Sequence, residues 1–345
     1  MTDDTLIAQI GTDYAVNIAQ KNGMSEGELT NMRLPFDAKI LAIVDIKDFI
    51  SDLEKLGRVK CITRNAYAIS IQEGVLTNQY LNGYKKINIS AEAGLILNPR
   101  DLDLRIFFKN WDYVFFIDQL RNSQQEKSFQ VFNKQGVAIC KVYVTNESNE
   151  DALNFILEKY KCSKQMKAEF EVVKSKVSLD RKKSVGFNKK IDHDWRTMTE
   201  VHDFYILASK YKLSRQDMFR SVGDDLAYKV SNSCLNRILL QAIEKNEELT
   251  IFIANQGCVQ IYTGLVGKFF YKDDWLNIFN KNNKIHISTD KIDECWIVKK
   301  PGEFGDVTSL EVFSKDEEQI IQIYGQRDEG KPERNTWRRI VSSVN

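Results

Sequence analysis

Proline is scarce in this chain, four in 345 residues, and no tract is of low complexity. Histidine is scarcer: His193, His202 and His286 are too few and too dispersed for a multi-histidine metal site. Six cysteines (Cys61, Cys140, Cys162, Cys234, Cys258, Cys295) form no CxxC and no Cys/His cluster. That argues against structural zinc and fits buried thiols in a reducing compartment. No GxxxxGK[ST], GxGxxG after a strand, HExxH or GxSxG occurs, and nothing points to a Ser-His-Asp triad. No apolar run approaches the roughly 20 residues needed to span a bilayer. The opening MTDDTLIAQIG is acidic and has no basic region leading into an apolar stretch, so no secretion signal is expected. Neither sign of charge is in excess: the net +1 predicts no global attraction to nucleic acid or to anionic membrane. The expectation is a cytoplasmic protein without membrane insertion.

What is present is a repetition. Residues 128–143, SFQVFNKQGVAICKVY, are echoed by 309–324, SLEVFSKDEEQIIQIY. Ser128, Val131, Phe132, Lys134 and Tyr143 meet Ser309, Val312, Phe313, Lys315 and Tyr324 at a constant offset of 181 (324 − 143). Upstream, Asn65 and Gly74 answer Asn255 and Gly264 at an offset of 190 (264 − 74). The length suits two domains, and 43% hydrophobic with 11% aromatic residues is ordinary for packed ones. The organisation expected is an N-terminal repeat over 1–160, a connector over 161–190 and a C-terminal repeat over 191–345. The connector holds ten basic and three acidic residues and reads as part helix, part loop. It is either a solvated linker or a contact for an anionic partner.

Each half opens helical and then turns to strands. Val201, Phe204, Tyr205 and Ala208 recur at helical spacing, with Thr197 or Thr199 as N-cap. Ser214 with Asp217 resembles a capping box, with Asp in place of Glu or Gln. A third helix follows from SNSCLNRILLQAIEKN. Period-two stretches come next: LTIFIAN, CVQIYT, KFFY, WLNIFN, KIHIS, ECWIVKK, TSLEVFS and QIIQIYG. Their short connections suit an antiparallel meander and leave no room for βαβ crossovers. GKPERNTWRRIVSSV closes the chain as a helix with Trp337 and Ile340 inward. The fold class expected is α+β, two tandem repeats, each a helical segment followed by a large antiparallel sheet.

Positions where the halves part company are where function can be loaded onto one copy. His202 follows Val201 on the apolar edge of its helix; its counterpart near Thr12 is not histidine. It is either an idle helical imidazole or an iron ligand. Leu104-Arg105-Ile106 aligns with Ile285-His286-Ile287, which turns Arg105 away from its apolar neighbours toward solvent or a pocket. Gln322, Tyr324 and Gln326 share one strand face, with Arg327 next; the face either lines a ligand site or is the wet side of a sheet. Arg215 at a helix start and Lys299-Lys300 before Pro301 add cations able to pair with carboxylates.

At these residues the chain resembles the HemS/HmuS-type haemin-degrading factors, cytoplasmic haem-handling proteins. The resemblance spans both repeats through LNPRDLDLRIFFKNW, EVHDFYILASKYKLSRQDMFR, NQGCVQIYTG, WLNIFN, VTSLEVFS and IIQIYGQRDEGKPERNTWRR, in family order. It implies haem as ligand or substrate, His202 as axial iron ligand and Arg105 on the distal side, where it would serve catalysis. Arg215, Lys300, Gln322, Tyr324 and Arg327 would surround the porphyrin and its propionates. Haem would then lie between the copies. Lys299 is an alternative to Lys300, and His193, in loop-like sequence, an alternative to His202. Two activities follow: oxidative ring opening with an external electron donor, which needs an outside reductase or reductant, or carriage of intact haem to a separate haem oxygenase. A third reading, salt-dependent nucleic-acid association through 161–190, is opposed by the near-neutral net charge.

Overall fold

A computed structural model describes residues 13–34, 36–84, 91–163, 166–172, 186–328 and 330–344. The remainder of the basic connector lies outside the described residues. The chain forms two compact units: unit 1 is Met1–Arg64, Ile69–Ser175 and Ala254–Gln260, and unit 2 is Asn65–Ala68, Lys176–Ile253 and Ile261–Asn345.

Among the described residues, unit 1 carries the helices α1 (Ala15–Lys21), α2 (Glu26–Met32), α3 (Ile46–Leu53) and α4 (Glu150–Lys159). Its strands are β1 (Ala38–Ile40), β2 (Gly57–Arg64), β3 (Ala68–Val75), β4 (Gln79–Tyr80), β5 (Ala93–Ile96), β6 (Asp103–Phe107), β7 (Tyr113–Arg121), β8 (Gln124–Phe132) and β9 (Ala138–Ser148). Unit 2 carries α5 (Lys189–Arg196), α6 (Asp203–Tyr211), α7 (Arg215–Arg220), α8 (Cys234–Glu244) and α9 (Asn335–Ser342). Its strands are β10 (Ala227–Val230), β11 (Glu248–Ala254), β12 (Cys258–Leu265), β13 (Lys268–Lys272), β14 (Trp275–Phe279), β15 (Asn283–Ser288), β16 (Ile292–Lys300), β17 (Val307–Ser314) and β18 (Gln319–Gly325), with the end of β11 and the start of β12, within Ala254–Gln260, counted in unit 1. The order β1-β7-β8-β9-β2-β3 in one repeat is matched by β10-β16-β17-β18-β11-β12 in the other. The protein is α+β, built of two tandem antiparallel repeats.

The repeats share their register. Ser128 stands opposite Tyr143 and Ser309 opposite Tyr324, and both ladders break at the same place, Val131/Phe132 and Val312/Phe313. The turns Asn65–Ala68 and Asn255–Cys258 are built alike. The Asn65 Oδ1 accepts from the N–H groups of Tyr67 and Ala68, and the Asn255 Oδ1 from those of Gly257 and Cys258. Each amide Nδ2 then donates to a backbone carbonyl of the unit to which its turn belongs: Asn65 to Ile320 at 2.9 Å, Asn255 to Ile139 at 2.8 Å. A side-chain acceptor inside the turn replaces a missing main-chain one, so asparagine is the fitting residue.

Both faces of the unit 2 ladder are covered, which is why β17 is buried along its whole length. Cys295, Ile297, Leu310, Val312, Ile321 and Ile323 face α8 and α9, joined by Trp337 and Ile340 as the spacing of the closing segment implied. Gly325 is required beneath α9, since a Cβ there would meet the Trp337 ring within 3 Å. On the opposite face Trp296, Val298 and Phe313 pack under α5, α6 and α7 through Trp195, Phe204, Met218 and Phe219. The row expected to be either ligand-facing or wet is therefore roofed by helices.

Two local expectations change. α6 starts at Asp203 with His202 as its N-cap residue, not at Thr197 or Thr199. The Asp203 carboxylate accepts from the N–H groups of Thr199 and Glu200, which holds that stretch as turn. His193 is helical, in α5, because Ile191 and Trp195 at i and i+4 are both buried. Of the connector, residues 166–172 are irregular chain laid on unit 1, where Asn31 donates to the Ala168 carbonyl and the Phe170 ring meets Tyr113 edge-on at 5.1 Å, while Lys189 and Lys190 open α5.

Candidate functional site

The helix-covered face of unit 2 encloses a charge cluster centred on Glu311, which has no exposed surface. Ser214 caps α7 by accepting from the Asp217 N–H at 3.1 Å, and this makes Arg215 the first helical residue. From there its guanidinium donates to Glu311 through Nε and, at 2.8 Å, through Nη2. Lys300, the last residue of β16, donates to the same carboxylate at 2.8 Å. Ser309 (3.2 Å) and Gln319 (3.0 Å) complete its donors. On β18, Tyr324 lies 3.5 Å from the Lys300 Nζ and donates to Gln322 at 3.3 Å, while Gln322 donates to Gln319 at 2.8 Å. Phe204 lies beneath both cations, 4.5 Å from the Arg215 guanidinium and 5.0 Å from the Lys300 ammonium. Such cation–π contact is strongest where water is excluded.

The electrostatics follow from burial and count. Burial alone would raise the Glu311 pKa; Arg215 and Lys300 outweigh it and hold the carboxyl at about 2 instead of 4.5. Burial lowers the Lys300 pKa, and Arg215 adds to this against the pull of Glu311. Burial, then Glu311, pushes the Tyr324 phenol up, so it stays a neutral hydroxyl. Two cations share one carboxylate, and the cluster keeps one positive charge in excess.

His202 stands at the start of the helix that supplies Phe204. Its ring is half exposed, and Nδ1 lies 3.1 Å from a Glu200 carboxylate oxygen. Tyr205 and Ile206, on the next turn, are also exposed. The imidazole is thus open to a ligand, and a carboxylate on one ring nitrogen favours metal binding by the other. Lys300, not Lys299, belongs to the cluster; the Lys299 backbone is engaged with Leu226 and Trp195. His193 is exposed on α5 and Arg327 is exposed after β18. In unit 1, Arg105 lies on β6 between buried Leu104 and Ile106, bound to the Asp103 carboxylate and, at 3.3 Å, to the Leu104 carbonyl. Among the described residues no group of three or more His, Cys, Asp or Glu is placed to hold a metal ion.

Unlike Arg215, Lys300, Gln322 and Tyr324, Glu311 did not stand out in the sequence, although a signal existed. VTSLEVFS is otherwise uncharged, and a carboxylate in mid-strand demands cations from elsewhere. Unit 1 has a cluster of its own. Glu26, the first residue of α2, binds Lys141 and, at 3.1 Å, Arg64. Burial raises the Glu26 pKa, and the two cations more than reverse it.

Residues 23–160 and 212–344 each match the haemin-degrading HemS/ChuX domain model. The chain is 40% identical over 331 residues to the hemin transport protein HmuS of Yersinia pestis, covering 96% of this chain and 92% of that protein. The structure of the heme degrading enzyme ChuS of Escherichia coli O157:H7 aligns with a TM-score of 0.89 at 40% identity, over 99% of this chain and 96% of that one. Holo-PhuS, a heme-binding protein from Pseudomonas aeruginosa, aligns with a TM-score of 0.90 at 29% identity, over 99% and 97% of the two chains.

Proposed function

The chain belongs to the HemS family of haem-utilisation proteins, and on that premise we propose that it binds haem through His202 and opens the ring oxidatively with an external electron donor. The observation that carries the reading is a juxtaposition within unit 2. An exposed imidazole begins the helix whose Phe204 underlies a buried cluster with one positive charge in excess. Ferric haem presents a Lewis-acid centre, an apolar disc and two carboxylates. His202 offers the axial nitrogen, Tyr205 and Ile206 offer exposed apolar surface, and Arg215 with Lys300 offers a counter-charge. Gln322 and Tyr324 hold the cluster's polar edge, and Arg327, exposed after β18, is placed to meet a carboxylate from solvent. Arg105, whose guanidinium is already fixed on Asp103, is proposed as the donor to the reacting oxygen. Free cysteines, five of them buried, accord with a reducing cytoplasm.

The relatives favour two outcomes for the bound ring. ChuS is described as a heme degrading enzyme, PhuS as a heme-binding protein, and this chain is more similar in sequence to the former. The alternative is accordingly a non-catalytic chaperone that passes haem to a haem oxygenase. The discriminating experiment incubates the haem complex with reductant, with and without oxygen, with catalase present, and identifies products by mass. Ring-opened tetrapyrrole formed in oxygen supports the enzyme; intact haem recovered in full supports the carrier. In the same assay Arg105→Ala is expected to slow Soret loss more than it weakens haem affinity, and equal effects would reduce Arg105 to a binding residue.

A further inference from the structure

Glu311 touches no solvent, and yet two cations from separate elements converge on it, Arg215 from α7 and Lys300 from β16. Arg215 enters at the first position of a helix, where the free N–H groups disfavour positive charge, so its place depends on the carboxylate. Lys300 is almost wholly buried, a setting in which an ammonium loses its proton unless an anion holds it. The groups facing it are Glu311, Arg215, Tyr324 and, from α6, Tyr205 with the Phe204 ring. Arg215 keeps 15% of its side-chain surface exposed, so the cluster opens outward at the guanidinium.

We propose that Glu311 is a positioning residue for carboxylate recognition: it keeps buried Lys300 charged and aims Lys300 and Arg215 together at a single carboxylate of the bound tetrapyrrole. The proposal rests on the haem reading above. Because Glu311 cancels one of the two charges, the buried cluster takes one carboxylate, and the other is left to exposed groups such as Arg327. A merely structural Glu311 would stabilise the fold without affecting which ligand is preferred.

The test compares haem with haem dimethyl ester, which lacks both carboxylates, by Soret titration of the full chain and of Glu311→Gln and Glu311→Asp. In the unmodified protein the preference for haem stays flat between about pH 6 and about pH 9, because the Glu311 carboxylate, 2.8 Å from the Lys300 ammonium, opposes loss of its proton. In Glu311→Gln the preference persists near pH 6 and falls about tenfold or more by about pH 9 as Lys300 loses its proton. Glu311→Asp behaves like the unmodified protein, and affinity for the ester is the same function of pH in all three. A flat preference in Glu311→Gln, or one lost equally at every pH, overturns the proposal. If Glu311→Gln does not fold, the unmodified protein still decides: a preference that falls with pH, or no preference at all, also overturns it. Failure of the unmodified protein to take up either ligand would instead defeat the haem reading.

Discussion

The two repeats solve one problem with opposite signs. A capping serine starts the equivalent helix in each: Ser25 before Glu26, Ser214 before Arg215. The first helical residue is an acid in one copy and a base in the other, and its partners change to suit. Glu26 is met by Lys141 and Arg64; Arg215 is met by Glu311. At the 181 offset, Lys141 corresponds to Gln322, Gln130 to Glu311 and Gln119 to Lys300. Each cluster comprises two cations and one carboxylate, but the carboxylate has moved from the helix end to the middle of a strand. Apolar positions on the shared ladder are conserved between the copies, while buried charge is free to change sign when its partner changes with it. The copies also differ in cost. Glu26 sits where the helix dipole favours an acid; Arg215 sits against the dipole and relies on Glu311. The less self-sufficient arrangement belongs to the repeat that carries His202.

That contrast can be broken at its centre. Glu311→Ala strands the buried Lys300 ammonium and the partly buried Arg215 guanidinium and is expected to cost about 3–5 kcal/mol in urea unfolding. Gln130→Ala, the same ladder position in unit 1, removes no charge and should cost about 1–2 kcal/mol. Equal losses would mean that Glu311 is no more than a strand residue.

The acid limb sharpens the same point. A carboxyl held at about 2 in the folded chain against 4.5 ordinarily adds stability that is complete above about pH 5 and lost as pH falls toward 2. The stability difference between the unmodified protein and Glu311→Gln should therefore be constant above about pH 5 and shrink on acidification toward about pH 2. A difference that does not change with pH would show that the carboxylate is not held by its cations.

How far the sequence foretold this structure depends on the range of the interactions. Strands such as β17 and β18 were legible because alternation is a local signal, and the duplication was legible because Ser309, Val312, Phe313 and Tyr324 repeat a packed register. The start of α6 was not. Thr199 looks like a cap, but the Asp203 side chain reaches back to the Thr199 and Glu200 N–H groups and delays the helix. α5 hid within a lysine-rich stretch whose only apolar signal is Ile191 with Trp195. Arg215, Lys300, Gln322 and Tyr324 were singled out individually, and the structure gathers them. The residue that gathers them, Glu311, stands 96 positions from Arg215, and no local pattern reports a pairing at that distance.

The proposed haem binding depends most on the imidazole at the head of α6. The direct measurement is the electronic spectrum of the ferric haem complex of His202→Ala beside the unmodified protein, with His193→Ala as control. Loss or displacement of the Soret and charge-transfer bands in His202→Ala alone is the predicted result; an unchanged spectrum there, or a change in His193→Ala instead, would contradict it.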